Sequence, residues 1–388
     1  MKRNYFPSVY ITGVAQLKVE KSNQSGLKEM GSNVINEAIR DSGVEKIDAV
    51  YVGNMLSGMI DKQQQLGALI SNEAGLLGCE SMTIEAACGS GGAALRAGVM
   101  SIMSGMCDHV VVCGIEKMSH SDKNFITESI ATASDRENES SKGETFVTLN
   151  SRLMKLYREK YKVPNDAFSN FSINAHHNAN NNINALFNKT ISKNDYLESK
   201  LISDPLRLYD ASPICDGAAA VVLSKNNIAN QKEKIKITAS AIATEKVAIE
   251  QRENPLSGNA IRLSGHKALQ MAGIKIKDIN FFELHDAYTI IAALSLEAME
   301  FCKPGDGWKL AESGEIFSEG KIPISTFGGL KARGHALGAS GVYQAVESYL
   351  QLTGKANKNQ LNKKLDTGLI QSIGGTGSTV ITHVLQRD

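Results

Sequence analysis

The sequence predicts an α/β protein made of two similar halves, and two observations support this prediction. Short apolar segments typical of buried strands alternate with longer segments of helical periodicity, a pattern that indicates sheets covered by helices. The same alternation is then repeated in the second half of the chain. The predicted strands are 8–15, 47–55, 109–118 and 217–225 in the first half, and 235–244, 279–289, 322–329, 367–375 and 378–385 in the second.

Each half also contains a strand followed by a glycine-rich turn and a helix. Residues 83–103 show this order in the first half, and residues 324–350 show it in the second. A backbone that closely approaches another chain or a ligand at the start of a helix needs glycines there, because glycine has no side chain to collide. We therefore expect the two turns to face one another across a shared site.

A polar region separates the two halves. It spans Ser119–Arg207, contains the asparagine-rich run 174–189, and carries apolar residues at helical spacing over 157–179. These features predict an inserted, mostly helical loop domain. The asparagine run is as compatible with simple solvation as with a structural role. His176 and His177 in this run are expected to be surface or core residues and not ligands.

The predicted domain organisation follows from these boundaries. It consists of an N-terminal half at 1–118 plus 208–230, the loop domain at 119–207, and a C-terminal half at 231–388. A chain of 388 residues with 42% hydrophobic content can supply the sizeable cores that two or three such domains need.

Composition excludes several classes of function. The 42 Lys and Arg residues nearly balance 41 Asp and Glu, so no net field attracts nucleic acid or an anionic membrane. The basic N-terminus lacks the apolar segment of a signal peptide, and no apolar run is long enough to span a bilayer, so we expect a cytoplasmic protein. The six cysteines form no CxxC pair and the histidines no zinc-ligand spacing, so neither disulfides nor a metal site is expected.

Cys88 lies between small residues and glycines, directly before a predicted helix. In a reducing compartment a cysteine is most often a buried apolar side chain. A thiol at the positive end of a helix can instead be a nucleophile. The helix dipole and free N–H groups favour its thiolate, and a nearby imidazole can take its proton. On this segment alone, both interpretations stay open.

Five sequence blocks carry a resemblance to a known family. They are EAACGSGGAALRAG at 85–98, CGIEKMS at 113–119, ASPICDGAAAVVLS at 211–224, ELHDAYT at 283–289, and GGLKARGHALGASG at 328–341 followed by SIGGTGS at 372–378. In this order and spacing the chain resembles the thiolases over nearly its whole length, and among them the sterol-carrier-protein-type and archaeal-like branch.

The resemblance implies a thiolase fold, a five-layer αβαβα sandwich of two similar halves with an inserted loop domain that holds coenzyme A. It implies an acyltransferase that forms or cleaves a carbon–carbon bond through an acyl-cysteine intermediate. Coenzyme A thioesters are then the substrates, with no permanently bound cofactor and no metal. A homodimer or a dimer-based tetramer is also implied.

The resemblance also implies roles for individual residues. Cys88 matches the acyl-accepting nucleophile, and His335 matches the histidine that activates it and donates to a thioester oxygen. His285 matches a residue of the oxyanion hole that stabilises an enolate, although a histidine there also suits a capping or core role with Asp286. Gly374 matches the glycine whose N–H joins that of Cys88 in a second oxyanion hole, and a plain tight turn also uses glycine.

Ser212 matches a serine that contacts the pantetheine arm of coenzyme A, although serine before proline is also ordinary turn chemistry. Ser372 departs from the family pattern, since many thiolases have there the cysteine that removes the proton from the second acetyl-CoA. A serine hydroxyl is far too weakly acidic for its alkoxide to be the resting base. In sterol-carrier-type members the replacement cysteine follows His-Asp, and that position here is Ala287.

Three interpretations of this missing thiol stay open. The base is His285 or His335, and the protein is an altered thiolase. Alternatively, the acceptor is an electron-rich phenol or enol that needs no strong base, as in thiolase-like acyltransferases that associate with other subunits, including a small zinc-ribbon and OB-fold protein. The third interpretation is a non-catalytic scaffold, against which the joint presence of Cys88, His285 and His335 argues.

Overall fold

A computed structural model describes residues 8–226 and 233–388. The N-terminal basic residues and the predicted domain boundary at 230/231 lie outside these ranges. The strands are β1 (Tyr10–Gln16), β2 (Ala49–Gly53), β3 (Glu80–Ile84), β4 (His109–Glu116), β5 (Leu201–Ser203), β6 (Leu206–Arg207), β7 (Gly217–Ser224), β8 (Ile235–Thr244), β9 (Phe281–Glu283), β10 (Thr367–Gly374) and β11 (Thr379–Arg387).

The α-helices alternate with these strands in both halves. They are α1 (Leu27–Ser42), α2 (Ser57–Ile60), α3 (Leu66–Glu73), α4 (Ser90–Met103), α5 (Lys123–Ala131), α6 (Phe146–Tyr161), α7 (Ser169–Asn181), α8 (Lys193–Glu198), α9 (Asn259–Ala272), α10 (Thr289–Ala298), α11 (Gly307–Glu312) and α12 (Ser340–Thr353). In the part of the chain that the structure describes, none of these helices combines the length and apolar character needed to cross a bilayer.

The strand pairing confirms the two similar halves. The first half has the order β3-β2-β4-β7-β1 and the second has β8-β11-β10-β9, and a short β1–β8 pairing joins them into one nine-stranded sheet. In the first half β1, β7 and β4 pair antiparallel, and β4, β2 and β3 pair parallel. The second half repeats this pattern, with β8, β11 and β10 antiparallel and β10 and β9 parallel.

One predicted strand, 322–329, is wrong. Its only strand-like contact in the described chain is an isolated parallel bridge between Ile324 and Phe282, at the place that β3 occupies in the first half. Pro323 has no N–H to give to a ladder, and Ser325 has a φ of 50°, so the chain turns away from the sheet after one bridge.

The asparagine-rich run explains how this segment is held instead. Asn174, Asn178 and Asn182 are buried at one-turn spacing on one side of α7 and its C-terminus. Their amides donate to the carbonyls of Ile324, Ser325 and Phe327 at 3.1, 3.0 and 3.0 Å. This face of the run is therefore structural, since it satisfies backbone groups that a missing strand neighbour leaves unpaired.

The two predicted histidines of this run lie in different environments. His176 is buried, stacks on Phe187 with ring centroids 5.3 Å apart, and contacts the Lys189 carbonyl through Nδ1 at 3.2 Å. Burial lowers the pKa of His176 to about 4. His177 is exposed.

The inserted region between β4 and β7 is mostly helical, since helices α5 to α8 occupy most of it. The domain boundaries themselves stay a prediction.

The layers of the sandwich follow from which faces are apolar. Along β2, Val50 and Val52 pack with α1 and α3 on the outer side, and Tyr51 packs with α4 and α12 on the inner side. Helices α9 and α10 cover the outer face of the second-half sheet. Helix α12 is buried on nearly all sides, as expected for a helix that packs between the first-half and second-half parts of the sheet. The five-layer αβαβα arrangement places the N-termini of α4 and α12 at the centre.

Candidate active site

The two glycine-rich turns meet at the centre of the sandwich, as predicted. A Cβ atom on Gly91 would lie 2.6 Å from the Gly338 carbonyl oxygen, and one on Gly341 would lie 2.3 Å from the Gly92 nitrogen. Such separations are shorter than any allowed contact, so only glycine permits the two helix starts to approach this closely. The close approach brings the residues before α4 next to those before α12.

Cys88 is presented by a strained turn at the start of α4. Ala87, the preceding residue, has a φ of 52°, a conformation that costs about 1–3 kcal/mol in a non-glycine residue. The Ser90 side chain holds this turn, because its Oγ accepts the Ala86 N–H at 2.9 Å and donates to the Ala87 carbonyl at 2.6 Å. The Cys88 side chain is 7% exposed, and its Sγ lies 4.0 Å from the Met55 Sδ.

Cys88, His285 and His335 line one cavity of about 360 Å³. Ser212, Ala287 and Tyr288 also line it. The remaining lining residues are mostly apolar: Met118, Thr127, Ile130, Thr145, Phe146, Val147, Asn150, Ile202, Leu208, Ala211, Pro213, Ile214, Ile291, Leu337, Ile373 and Gly375. A mostly apolar cavity with a few convergent polar groups is typical of a small-molecule site.

His335 lies in the loop before α12 and has a free nitrogen. Its Nδ1 is 2.7 Å from the Ser340 Oγ, which also contacts the Ala336 carbonyl at 3.3 Å. When the Ser340 hydroxyl donates to that carbonyl, it accepts the Nδ1–H of His335. The Nε2 atom of His335 is buried and has no hydrogen-bond partner among residues 8–226 and 233–388. In this tautomer Nε2 can accept a proton.

His285 lies beside His335, with the two rings perpendicular and their centroids 5.1 Å apart. The Ile373 N–H donates to Nδ1 of His285 at 3.3 Å. A neutral imidazole that accepts at Nδ1 carries its proton on Nε2. The two histidines therefore differ in what they offer the cavity, since His285 offers a donor and His335 can offer an acceptor.

Both histidines are neutral at physiological pH. Burial lowers the pKa of His285 to about 3, and the positive charge of Arg333 adds to this shift. Burial likewise lowers the pKa of His335 well below its ordinary value, with smaller contributions from His285 and Arg333. Arg333 is itself fully buried, with its Nε 3.1 Å from Glu347 Oε1. This buried cation opposes protonation of both rings.

The Cys88 thiol is also neutral, against the expectation that the helix start favours its thiolate. Burial raises the pKa of Cys88 to about 12, and the Glu116 carboxylate adds to the rise. Desolvation of the sulfur disfavours its thiolate. Attack on a thioester then requires that the proton leaves the thiol during the step, to a neutral base such as the His335 imidazole.

Glu116 connects the loop beside Cys88 to the loop that carries His335. Its Oε2 accepts the N–H groups of Met55 and Gly338, both at 3.0 Å, and its Oε1 accepts the N–H of Leu56 at 3.1 Å. The Asn54 side chain donates to Oε1 at 3.0 Å. Burial raises the pKa of Glu116 to about 7. Glu116 is a functional residue that the motifs did not predict, although a lone carboxylate at the end of the apolar strand β4 is a usable signal.

We predict that Glu116→Gln slows acyl transfer about 10-fold through a lower kcat with little change in KM. An amide nitrogen in place of one carboxylate oxygen faces N–H donors and cannot accept from them, so the two loops separate while the cavity keeps its lining. Steady-state kinetics checks this, with Glu73→Gln as the control because Glu73 is exposed at the end of α3 and pairs with Lys28. A change in KM alone would contradict the positioning role.

Gly374 lies against the Cys88 turn. A Cβ atom on Gly374 would lie 2.4 Å from the Ala86 carbonyl oxygen. A Cβ atom on Gly89 would lie 3.2 Å from the Gly374 nitrogen. The backbone of Gly374 is thus adjacent to the start of α4. Ser212 lines the cavity and its N–H donates to the Ala287 carbonyl at 2.8 Å.

Ser372 is not brought into the cavity. It is absent from the lining residues of the described chain, and its hydroxyl is buried and donates to Gln344 Oε1 at 3.0 Å. A Cβ atom on Gly92 or on Gly341 would lie 2.7 Å from the Ser372 Oγ, so this hydroxyl is directed between α4 and α12. Ser372 therefore supports the packing of the two central helices and does not face the substrate space.

Two family models match the chain. The model for the thiolase N-terminal domain matches residues 9–227, and the model for the thiolase C-terminal domain-like region matches residues 241–387. The chain belongs to the thiolase family. The matches cover both halves of the sandwich, including Cys88 in the first and the two cavity histidines in the second.

Similar proteins place the chain near archaeal family members. An acetyl-CoA acetyltransferase of Methanothermobacter thermautotrophicus is 38% identical over 383 residues, which cover 98% of this chain and 99% of that protein. Sterol carrier protein 2 of Bos taurus is 28% identical and covers 96% of this chain and 71% of its own length. The structure titled "Ltp2-ChsH2(DUF35) aldolase" has a TM-score of 0.86 at 19% identity, with 99% of both chains covered, which shows the shared fold.

Proposed function

We propose that this thiolase-family protein transfers an acyl group from coenzyme A to a carbon acceptor, and back, through an acyl intermediate on Cys88. The observation that carries the proposal is the joint placement of Cys88, His285 and His335 in the lining of one cavity, with the Nε2 atom of His335 buried and without a partner among the described residues. An acyl-accepting thiol, a neutral base and a neutral donor are the groups that such a transfer needs.

The first step forms the acyl intermediate. The Cys88 sulfur bonds to the thioester carbonyl carbon while the thiol proton passes to Nε2 of His335. The oxyanion lies between the backbone N–H groups of Cys88 and Gly374, which adjoin each other across the turn before α4. The bond to the coenzyme A sulfur then breaks, and that sulfur leaves with the proton from His335.

The second step transfers the acyl group to carbon. His335, neutral again, removes a proton from the α carbon of the acceptor thioester. The resulting enolate carbon bonds to the acyl carbon, the bond to the Cys88 sulfur breaks, and the sulfur takes back the proton. The Nε2–H of His285 stabilises the enolate oxygen. The reverse sequence cleaves the carbon–carbon bond.

The proposal gives opposite expectations for two cysteine substitutions. We predict that Ala287→Cys raises the rate of acetoacetyl-CoA synthesis about 10- to 100-fold, because Ala287 lines the cavity and a thiol there supplies a second proton acceptor. We predict no gain from Ser372→Cys, because that side chain is directed between α4 and α12. Acylation of Cys88, measured by intact mass, serves as the common control. A gain in Ser372→Cys but not in Ala287→Cys would contradict this assignment.

A second candidate function is acylation of a phenolic or enolic acceptor within a multi-subunit complex. The observation that favours it is the missing thiol, since neither Ala287 nor Ser372 supplies one, and an electron-rich carbon needs no strong base. The fold neighbour with the TM-score of 0.86 is titled as a complex with a DUF35 chain, which supports a companion subunit as well. We propose a small zinc-ribbon and OB-fold protein as that companion.

An acyl-transfer experiment with two alternative acceptors separates the two candidate functions. The acylated protein, freed of excess acetyl-CoA, is offered either acetyl-CoA or a phloroglucinol-type phenol. A carbon–carbon product from acetyl-CoA supports the thiolase function, and acylated phenol alone supports the second candidate. A protein that never becomes acylated would support the scaffold interpretation.

We propose further that the chain forms a homodimer or a dimer-based tetramer, with the loop region 119–207 contributing to coenzyme A binding. Within the described residues β3 lies at the edge of the sheet, and Met82 on this strand is 49% exposed. An exposed edge strand favours pairing with a second copy. Light scattering at micromolar concentration tests this, and a monomeric mass would contradict it.

A further inference from the structure

Helices α5 and α6 form one wall of the active-site cavity. This wall contains one polar group without a hydrogen-bond partner among the described residues. The polar side chains on this wall are Thr127, Thr145 and Asn150. The Thr127 hydroxyl donates to the Lys123 carbonyl at 2.9 Å, and the Thr145 hydroxyl accepts the Thr148 N–H at 3.3 Å. The carbonyl oxygen of the Asn150 side chain, Oδ1, is buried and has no hydrogen-bond partner in the described parts of the chain.

The orientation of the Asn150 amide is fixed by the helix that carries it. Its Nδ2 donates to the Phe146 carbonyl one turn earlier at 2.8 Å, so Oδ1 is the atom left over. The side chain is only 2% exposed, although the residue lines the cavity. A buried acceptor that no protein group satisfies is costly, and such groups in a binding cavity are commonly satisfied by a ligand donor.

The neighbours of Asn150 restrict what kind of ligand can supply this donor. Phe146 and Val147 flank it on α6, and Ile202 and Ile291 line the same cavity from other elements. These side chains favour an apolar chain and offer no further hydrogen bond. A ligand suited to this wall is therefore an aliphatic group with a single donor.

We propose that the acyl group preferred by this cavity carries a hydroxyl that donates to Asn150 Oδ1. This inference rests on the proposed function, because it describes which acyl thioester Cys88 accepts. A hydroxyacyl thioester satisfies the unpaired oxygen, whereas an unsubstituted chain of the same length leaves it buried and unpaired. A site built to bond a substrate hydroxyl discriminates against the analogue that lacks it.

The test compares 3-hydroxybutyryl-CoA with butyryl-CoA in acylation of Cys88, followed as the rate of adduct formation by intact mass. We expect the wild type to prefer the hydroxylated thioester about 5- to 150-fold, the range for an unsatisfied buried acceptor. Asn150→Leu, which is similar in volume and has no acceptor, should lose this preference. Asn33→Leu, which makes the same exchange at an exposed position of α1 outside the cavity lining, should keep it.

Acetyl-CoA separates failure of this inference from failure of the proposed function. Acetylation of Cys88 in the wild type with no preference between the two four-carbon thioesters would overturn the role of Asn150 and leave the acyltransferase function intact. An unchanged preference in Asn150→Leu would overturn it equally. No acylation by any thioester would contradict the proposed function itself. The wild-type comparison stands even where the leucine variant fails to fold.

Discussion

Replacing Cys88 by alanine abolishes both acyl-enzyme formation and carbon–carbon bond chemistry, with an expected loss of about 10,000-fold or more in kcat. Removal of a catalytic nucleophile has effects of this size because no other group forms the covalent intermediate. The change removes one sulfur atom from a side chain that contacts Met55 and the small cluster around it, so the fold is expected to persist. Intact mass after incubation with acetyl-CoA measures the adduct directly.

The chain offers a matched control for this variant. Cys302 is a free, partly exposed cysteine outside the cavity lining, so Cys302→Ala should retain both the adduct and the turnover. An adduct that persists in Cys88→Ala and disappears in Cys302→Ala would contradict the assignment of the nucleophile. Circular dichroism of both variants excludes loss of the fold as the cause.

Replacing His335 by alanine should slow acylation and carbon–carbon bond formation together, by about 100- to 10,000-fold, the range for a positioned general acid–base group. Both steps depend on it because the Cys88 thiol, with a pKa raised to about 12 by burial, is protonated at neutral pH and needs a proton acceptor. A variant that loses only the second step would contradict this shared role.

The pH dependence of the wild type gives a second readout of His335. Its folded-state pKa is lowered well below the ordinary value of 6.5, so the ring is already neutral at pH 6. His335 itself should therefore cause no loss of acylation rate between pH 8 and pH 6. Glu116, whose pKa burial raises to about 7, titrates in this range, so the profile is measured in Glu116→Gln as well as in the wild type. A fall in rate with a midpoint near 6.5 that persists in Glu116→Gln would contradict a buried, neutral base.

The parts of the fold and site that depend on local pattern were predictable from the sequence. The apolar strands, the two glycine-rich helix starts and Cys88 before α4 are local features, and the structure brings the two turns together as expected. The segment 322–329 is predicted as a strand because it is short and apolar. The pattern could not show that the chain turns away from the sheet at Pro323 and Ser325. The backbone carbonyls of this segment then accept hydrogen bonds from side-chain amides of α7.

Other features depend on contacts between distant residues and could not be read from the chain. The direction of the Ser372 hydroxyl is set by Gln344 on α12, and Glu116 gains its role from Met55 and Gly338, which are far apart in sequence. The neutral state of Cys88 follows from burial, which a helix-start motif does not reveal. These are tertiary effects, and the sequence indicated only the residue types involved.

Transfer of a labelled acetyl group from Cys88 to carbon tests the proposed function most directly. The protein is loaded with isotopically labelled acetyl-CoA, excess reagent is removed, and unlabelled acetyl-CoA is added while the protein and the products are followed by mass spectrometry. The proposed mechanism predicts that the label leaves Cys88 and appears in the terminal acetyl unit of acetoacetyl-CoA. Label that stays on the protein, or that is released only as acetate, would contradict carbon–carbon bond formation through an acyl-Cys88 intermediate.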